Sequence, residues 1–105
     1  MSGGEVASDR GRRGAEYLPV MPEVARFFGI VITMNYDDHL PPHFHARYGE
    51  DRATFRMDGA VLAGSMSKRA IGLVRDWARL HSTELAEDWA RAERSQPLVP
   101  IPPLD

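Results

Sequence analysis

The chain has 105 residues, of which 43% are hydrophobic and 27% charged, so we expect one globular domain with a single modest core. Thirteen basic and fifteen acidic residues give a net charge of −2, which excludes a globally basic nucleic-acid-binding protein but leaves a local basic patch open. With no cysteine there are no disulfides, thiolate nucleophiles or cysteine-ligated zinc sites, and no apolar run reaches the roughly 20 residues of a membrane span. These properties predict a cytoplasmic protein.

The first segment, residues 1–20, contains four glycines and three arginines with little apolar periodicity. This composition favours a flexible N-terminal extension over a basic arm for nucleic acid. We therefore expect the single α+β domain to occupy residues 21–105 and to end in a proline-rich tail at 96–105.

Period-two alternation of β-branched and aromatic residues predicts an antiparallel meander of three to four strands. The best strand covers residues 27–36, and Gly29 marks a bulge or a close backbone approach within it. Further strands are predicted at residues 43–48, 53–57 and 60–63, and Asp58-Gly59 is a hairpin signal between the last two.

After Gly64 the apolar period becomes helical, and Ser65 or Ser67 is a suitable N-cap. The stripe predicts one long helix that is bent near His81, ends at about Ser95 and packs on the sheet; it comprises Ala70, Leu73, Val74, Trp77, Leu80, Leu85 and Trp89. Strands followed by a helix indicate an α+β domain of two layers.

The chemistry is concentrated in residues 35–50, which hold three of the four histidines. His43 and His45 share one face of a strand, because alternate residues point the same way. With His39 as a third nitrogen donor they form a candidate site for a divalent metal, zinc or manganese, with one coordination position open. Asp38 or Glu50 is a candidate to add an oxygen ligand or to orient an imidazole.

A second interpretation needs no metal. His43 and His45 would act as acid and base, and Arg47 on the same strand face would complete the catalytic set of a ribonuclease-like phosphodiesterase. Further basic side chains are candidates for phosphate contacts if they share that face: Arg52, Arg56, Lys68 and Arg69.

A third interpretation assigns no catalysis to the stretch. Pro41-Pro42 would fix a crossover, and an exposed sheet edge would bind a small protein partner or a second copy of the chain. The residues alone leave the three interpretations open.

Residues 21–32 and 38–49, and above all the Pro-Pro-His-Phe-His segment from Pro41 to His45, strongly resemble the domain-of-unknown-function family 4160. The resemblance extends from about Met21 to the C-terminus and implies a small bacterial protein. It also implies a small protein partner encoded nearby, in toxin–antitoxin-like modules, and it adds weight to RNA cleavage. It supplies no catalytic residues.

We therefore expect a component of a toxin–antitoxin-like pair with a histidine-centred site that acts in RNA cleavage. The alternatives are a non-catalytic interaction module and a histidine-based metal-binding domain.

Overall fold

The structure, a computed structural model, describes residues 22–105, so the predicted flexible extension lies outside the described residues. Five strands are followed by two helices: β1 (Glu23–Phe27), β2 (Ile30–Thr33), β3 (His43–Tyr48), β4 (Asp51–Arg56), β5 (Val61–Ser65), α1 (Lys68–Leu80) and α2 (Ser82–Glu93). The strands form one antiparallel sheet in the order β1-β2-β3-β4-β5. The α+β class is confirmed, and neither helix has the length and apolarity that crossing a membrane requires.

The sheet has five strands, whereas three to four were predicted, because the hairpin of β1 and β2 was not recognised. The segment predicted as one strand at 27–36 is divided by a two-residue turn, in which Phe28 and Gly29 have φ values of 50° and 82°. Positive φ at both central residues matches the twist of a tight antiparallel hairpin. Phenylalanine rarely adopts such a φ, so only Gly29 signalled the turn, and a bulge explained that glycine equally well.

The prediction of one long helix is also wrong. The helix breaks at His81, whose φ and ψ are −119° and 32°, and α2 restarts at Ser82. The apolar stripe stays in phase across the break, since Trp77, Leu85 and Trp89 are all buried, and this continuity concealed it. The predicted cap at Ser67 is present, where Oγ accepts from the Ala70 N–H at 3.1 Å.

Alternation along β3 separates the two faces of the sheet. Phe44 is fully buried, its ring stacks on Phe55 with centroids 5.4 Å apart, and Trp77 of α1 meets it edge-on at 5.7 Å. This core face is covered by the helices. We call the opposite side the outer face; it carries His45 and Arg47 of β3 and, through the strand register, Thr33, Arg52, Thr54 and Arg56. His43, at the start of β3, is buried, and its ring lies 5.5 Å from that of Trp89 in α2.

The proline-rich tail packs on its own domain. The Ile101 N–H donates to the Val24 carbonyl at 2.8 Å, and the Trp77 indole N–H donates to the Pro102 carbonyl at 2.8 Å. Asp88, fully buried on α2, accepts from the Val99 N–H at 2.9 Å. The tail therefore links β1 to both helices.

Candidate metal centre

The loop between β2 and β3, residues 34–42, turns back to the start of β3 and carries Asp38. Its path is fixed at Asp37, which has a φ of 52° and whose N–H donates to the Ala92 carbonyl of α2 at 3.3 Å. The Asp38 carboxylate is held by the following residue, because its Oδ1 accepts from the His39 N–H at 2.8 Å. The other carboxylate oxygen, Oδ2, points to the histidines of β3.

Asp38, His43 and His45 form a cluster in which each residue offers one ligand atom and all these atoms lie within 4.8 Å of one another. Asp38 Oδ2 lies 2.9 Å from His43 Nε2 and 3.7 Å from His45 Nε2. Ligands at about 2.0–2.2 Å from one ion are separated from each other by about 3–3.4 Å. The two separations from Asp38 Oδ2, at 2.9 and 3.7 Å, lie near that spacing.

The hydrogen bonds of His43 fix where its ring carries protons. Nδ1 lies 2.7 Å from the Pro41 carbonyl, which can only accept, so Nδ1 carries a hydrogen and donates it. In a neutral ring Nε2 then has a lone pair, and that lone pair faces Asp38 Oδ2 at 2.9 Å. The ring itself is only 4% exposed, so water does not screen the pair.

The Asp38 carboxyl is ionised near neutral pH. Burial alone would raise its pKa, but the His39 N–H bond and the neighbouring His43 together lower that pKa below its ordinary value. Two electron-rich atoms, Asp38 Oδ2 and His43 Nε2, therefore face each other. This separation suits a shared proton or a metal ion bound by both atoms.

The contacts of His45 suit the neutral tautomer that binds a metal through Nε2. Its Nε2 lies 3.4 Å from Asn35 Nδ2, a donor, so Nε2 keeps its lone pair, and Nδ1 donates to Thr54 Oγ1 at 3.4 Å. Burial, followed by the charge of His43, lowers the pKa of the His45 imidazole. A neutral ring with a lone pair aimed at the cluster is the state that coordinates a transition metal.

His39 was predicted as a third nitrogen ligand, and Asp38 or Glu50 as an oxygen ligand; of these, Asp38 lies in the cluster with His43 and His45. The His39 side chain is 85% exposed, and its Nδ1 contacts Asp38 Oδ1. Its ring lies 5.3 Å from that of His43 at the border of the cluster. Glu50, the other candidate oxygen ligand, lies in the turn beyond the far end of β3. Arg47, the candidate catalytic arginine, is exposed on the outer face, two residues from His45.

Three contributors were missed. The Pro41 carbonyl orients His43, Thr54 orients His45, and Asn35 donates to Asp38 Oδ2 at 3.3 Å. Thr54 lies directly opposite His45 in the β3–β4 register, so pairing the two predicted strands would have found it. Asn35 Oδ1 is a buried acceptor without a partner among residues 22–105.

The cluster opens on two adjoining hollows of the outer face. One, of about 340 Å³, contains the cluster itself; the other, which we call the groove, has a volume of about 300 Å³. His45, Thr54 and Ala63 border both hollows, so the cluster and the groove are continuous. The groove is lined by Thr33, His45, Ala46, Arg47, Arg52, Ala53, Thr54, Ala63 and Gly64.

A family model described as Domain of unknown function (DUF4160) matches residues 29–90, a segment that includes all three members of the cluster. Comparisons with curated proteins and with solved structures give no match.

Proposed function

Because the chain belongs to the family described as Domain of unknown function (DUF4160), a name that assigns no activity, we propose its function from the geometry of the site. In this proposal Asp38, His43 and His45 bind one divalent transition-metal ion, and the ion activates water for hydrolysis. The substrate we propose is the phosphodiester bond of RNA.

The observation that carries this proposal is the approach of His43 Nε2 to Asp38 Oδ2 at 2.9 Å, with the opposite ring nitrogen already donating to Pro41. A backbone carbonyl that accepts from the distal nitrogen of a histidine is the usual arrangement around a metal ligand, because it fixes the tautomer and the ring plane. Thr54 plays the same part for His45.

The donor set indicates which ions fit. Two imidazoles and one carboxylate suit zinc, manganese or iron(II), and the lack of thiolates disfavours soft ions. Three protein ligands leave at least one position for water, whose pKa a bound zinc ion lowers to about 7 in known hydrolases. The preference for zinc or manganese is a prediction from the sequence.

Metal analysis of tag-free protein tests the proposal. We expect about one Zn²⁺ or Mn²⁺ per chain and, after chelation, calorimetric rebinding that is weakened more than about 100-fold by Asp38→Ala, His43→Ala or His45→Ala, since losing a ligand costs more than losing an outer contact. His39→Ala is the comparison variant: this ring contacts Asp38 Oδ1 but is not a member of the cluster, so its loss should weaken binding less than the loss of a ligand. Circular dichroism checks that each variant is folded.

Two outcomes would contradict the metal proposal: wild-type protein that binds no divalent ion, or a His39→Ala variant that loses binding as completely as His43→Ala. Metal-independent RNA cleavage that requires His43 and His45 would instead support a proton between Asp38 and His43, and hence acid–base catalysis with Arg47 near the substrate.

A second candidate function is protein interaction, in keeping with a toxin–antitoxin-like pair. It is favoured by β5, an edge strand whose five residues, Val61–Ser65, are all exposed. Such an edge offers free backbone groups to an added strand. Co-expression with the neighbouring gene product tests it: a stable complex supports the candidate, and separate elution of the two chains counts against it.

A further inference from the structure

We infer that the groove between Arg47 and Arg52 binds a phosphate group of the substrate. The inference deepens the proposed function, since it places the substrate class beside the metal centre, but phosphate binding itself does not require the metal. Its basis is a pair of like charges that the sheet holds together, an open space between small residues, and a shared border with the cluster.

Arg47 and Arg52 are direct partners in the β3–β4 register. Like charges directly opposite each other on one face destabilise a sheet, because their side chains start about 4.5–5.5 Å apart. Neither residue forms an ion pair within residues 22–105, whereas the other two strand arginines do: Arg26 binds Glu23 at 2.7 Å and Arg56 binds Asp58 at 2.9 Å. The two arginines that line the groove are thus the ones without a carboxylate.

One carboxylate, that of Glu23, is affected by the charge of Arg47. Glu23 has its pKa lowered first by the hydrogen bond from Arg26 and to a smaller extent by the charge of Arg47. Both of its oxygens, however, already accept from Arg26, at 2.7 and 3.1 Å. The guanidinium groups of Arg47 and Arg52 therefore keep their donors for another anion.

The groove is open because small residues form its wall. β5 contributes only Ala63 and Gly64, and an added Cβ at Gly64 would clash with the Arg52 carbonyl oxygen. Gly64 also has a φ of 78°, which other residues rarely adopt. A larger residue is therefore excluded at Gly64, and the 300 Å³ between the two arginines and His45 stays free.

Phosphate is the anion that this arrangement fits best. Guanidinium groups bind phosphate oxygens in pairs of parallel hydrogen bonds, and a phosphate has enough oxygens for two arginines at once. Thr33 and Thr54 add neutral hydroxyl donors to the lining. His45 lies two residues from Arg47 on the same strand face, about 7 Å away along the backbone. A phosphate bound by both arginines thus adjoins the metal-binding atoms.

The test measures binding by chelated protein, so that it is independent of the metal. The probes are a labelled single-stranded RNA oligonucleotide, a nucleoside monophosphate and inorganic phosphate. We expect the double variant Arg47→Gln/Arg52→Gln to bind the oligonucleotide at least tenfold more weakly. The slope of log K against log salt should also shrink by about 0.7 for each lost contact.

The matched control is Arg79→Gln/Arg94→Gln, which removes the same charge from exposed positions at the ends of α1 and α2 and should keep wild-type affinity. Competition by the monophosphate or inorganic phosphate at low millimolar concentration would identify a small phosphate ester as a ligand, and binding of the oligonucleotide alone would identify the polynucleotide. Either result supports the inference.

Equal RNA affinity of the groove variant and the wild type would overturn the inference, as would equal weakening by the control. Failure here is distinguishable from failure of the metal proposal, because Arg47→Gln/Arg52→Gln should still bind Zn²⁺ or Mn²⁺ with wild-type stoichiometry.

Discussion

The core face and the outer face of the sheet are built from alternate residues of the same strands, yet they differ in almost every physical property. In β3, Phe44 and Ala46 are buried against the helices, while His45 is half-buried and Arg47 exposed. The core face is held by apolar burial, which is large and non-directional. The outer face carries an imidazole and two guanidinium groups without a carboxylate partner, and these groups contribute little to stability.

This difference shows that the six-residue strand β3 serves both stability and the candidate site. Alternate residues divide the two roles between its two faces. Repulsion between Arg47 and Arg52, which lie opposite each other on the outer face, destabilises the sheet. Substitutions at neighbouring positions should therefore separate stability from binding.

The largest expected effect is on the core face. Phe44→Ala removes a ring that stacks on Phe55 and meets Trp77, and we expect a loss of about 3–5 kcal/mol in the free energy of unfolding, measured by urea titration. Phe28→Ala is the matched control, since Phe28 is 51% exposed in the first turn, and it should cost under about 1 kcal/mol. Similar losses for both variants would contradict the claim that the core face holds the fold.

An intermediate effect is expected on the outer face. Thr54→Val removes the hydroxyl that orients His45 but keeps the side-chain shape, so metal affinity should fall by about 10–100-fold while the unfolding midpoint changes little. Thr33→Val is the control: Thr33 lies opposite His45 on the other neighbouring strand and has no hydrogen bond to that ring among the described residues. Equal calorimetric affinities of the two variants would show that Thr54 does not position the ligand.

The smallest effect is expected at the exposed ion pair of Glu23 and Arg26 in β1. Because the Arg26 hydrogen bond, aided by Arg47, lowers the folded-state pKa of Glu23 below 4.5, this carboxylate contributes stability above that pH and loses it as the pH falls through the lowered pKa. The pair is exposed, so its contribution is at most about 1 kcal/mol. Glu23→Gln should therefore be slightly less stable than wild type at pH 6 in thermal melts, and the difference should shrink as the pH is lowered to 3. A constant difference between the two pH values would contradict this assignment.

The features that the sequence predicted are those fixed by short-range pattern. Period two placed Phe44 and His45 on opposite faces, and Ser67 had the chemistry of an N-cap. His43 was predicted to share the outward row, but it is buried and its ring lies 5.5 Å from that of Trp89. The family assignment followed from the segment Pro41 to His45 and is confirmed by the match over residues 29–90.

The features that it did not predict depend on tertiary context. Phe28 adopts a positive φ because the hairpin around it requires one, a choice that residue propensity opposes. The same is true of the site: Asp37 has a φ of 52° and a hydrogen bond to Ala92 of α2, and this bend turns Asp38 toward the histidines while His39 faces outward. Neighbouring loop residues cannot be ranked as ligands until such a long-range contact is known.

The proline-rich tail also makes the two ends of the sheet unequal. β1 and β5 are both terminal strands, but the Ile101 N–H occupies the Val24 carbonyl of β1, whereas β5 is exposed along its whole length. A sheet with two free edges can grow copy upon copy into a fibre, while a sheet with one free edge accepts a single added strand and stops. Because the tail occupies part of the β1 edge, we expect strand addition to take place at β5.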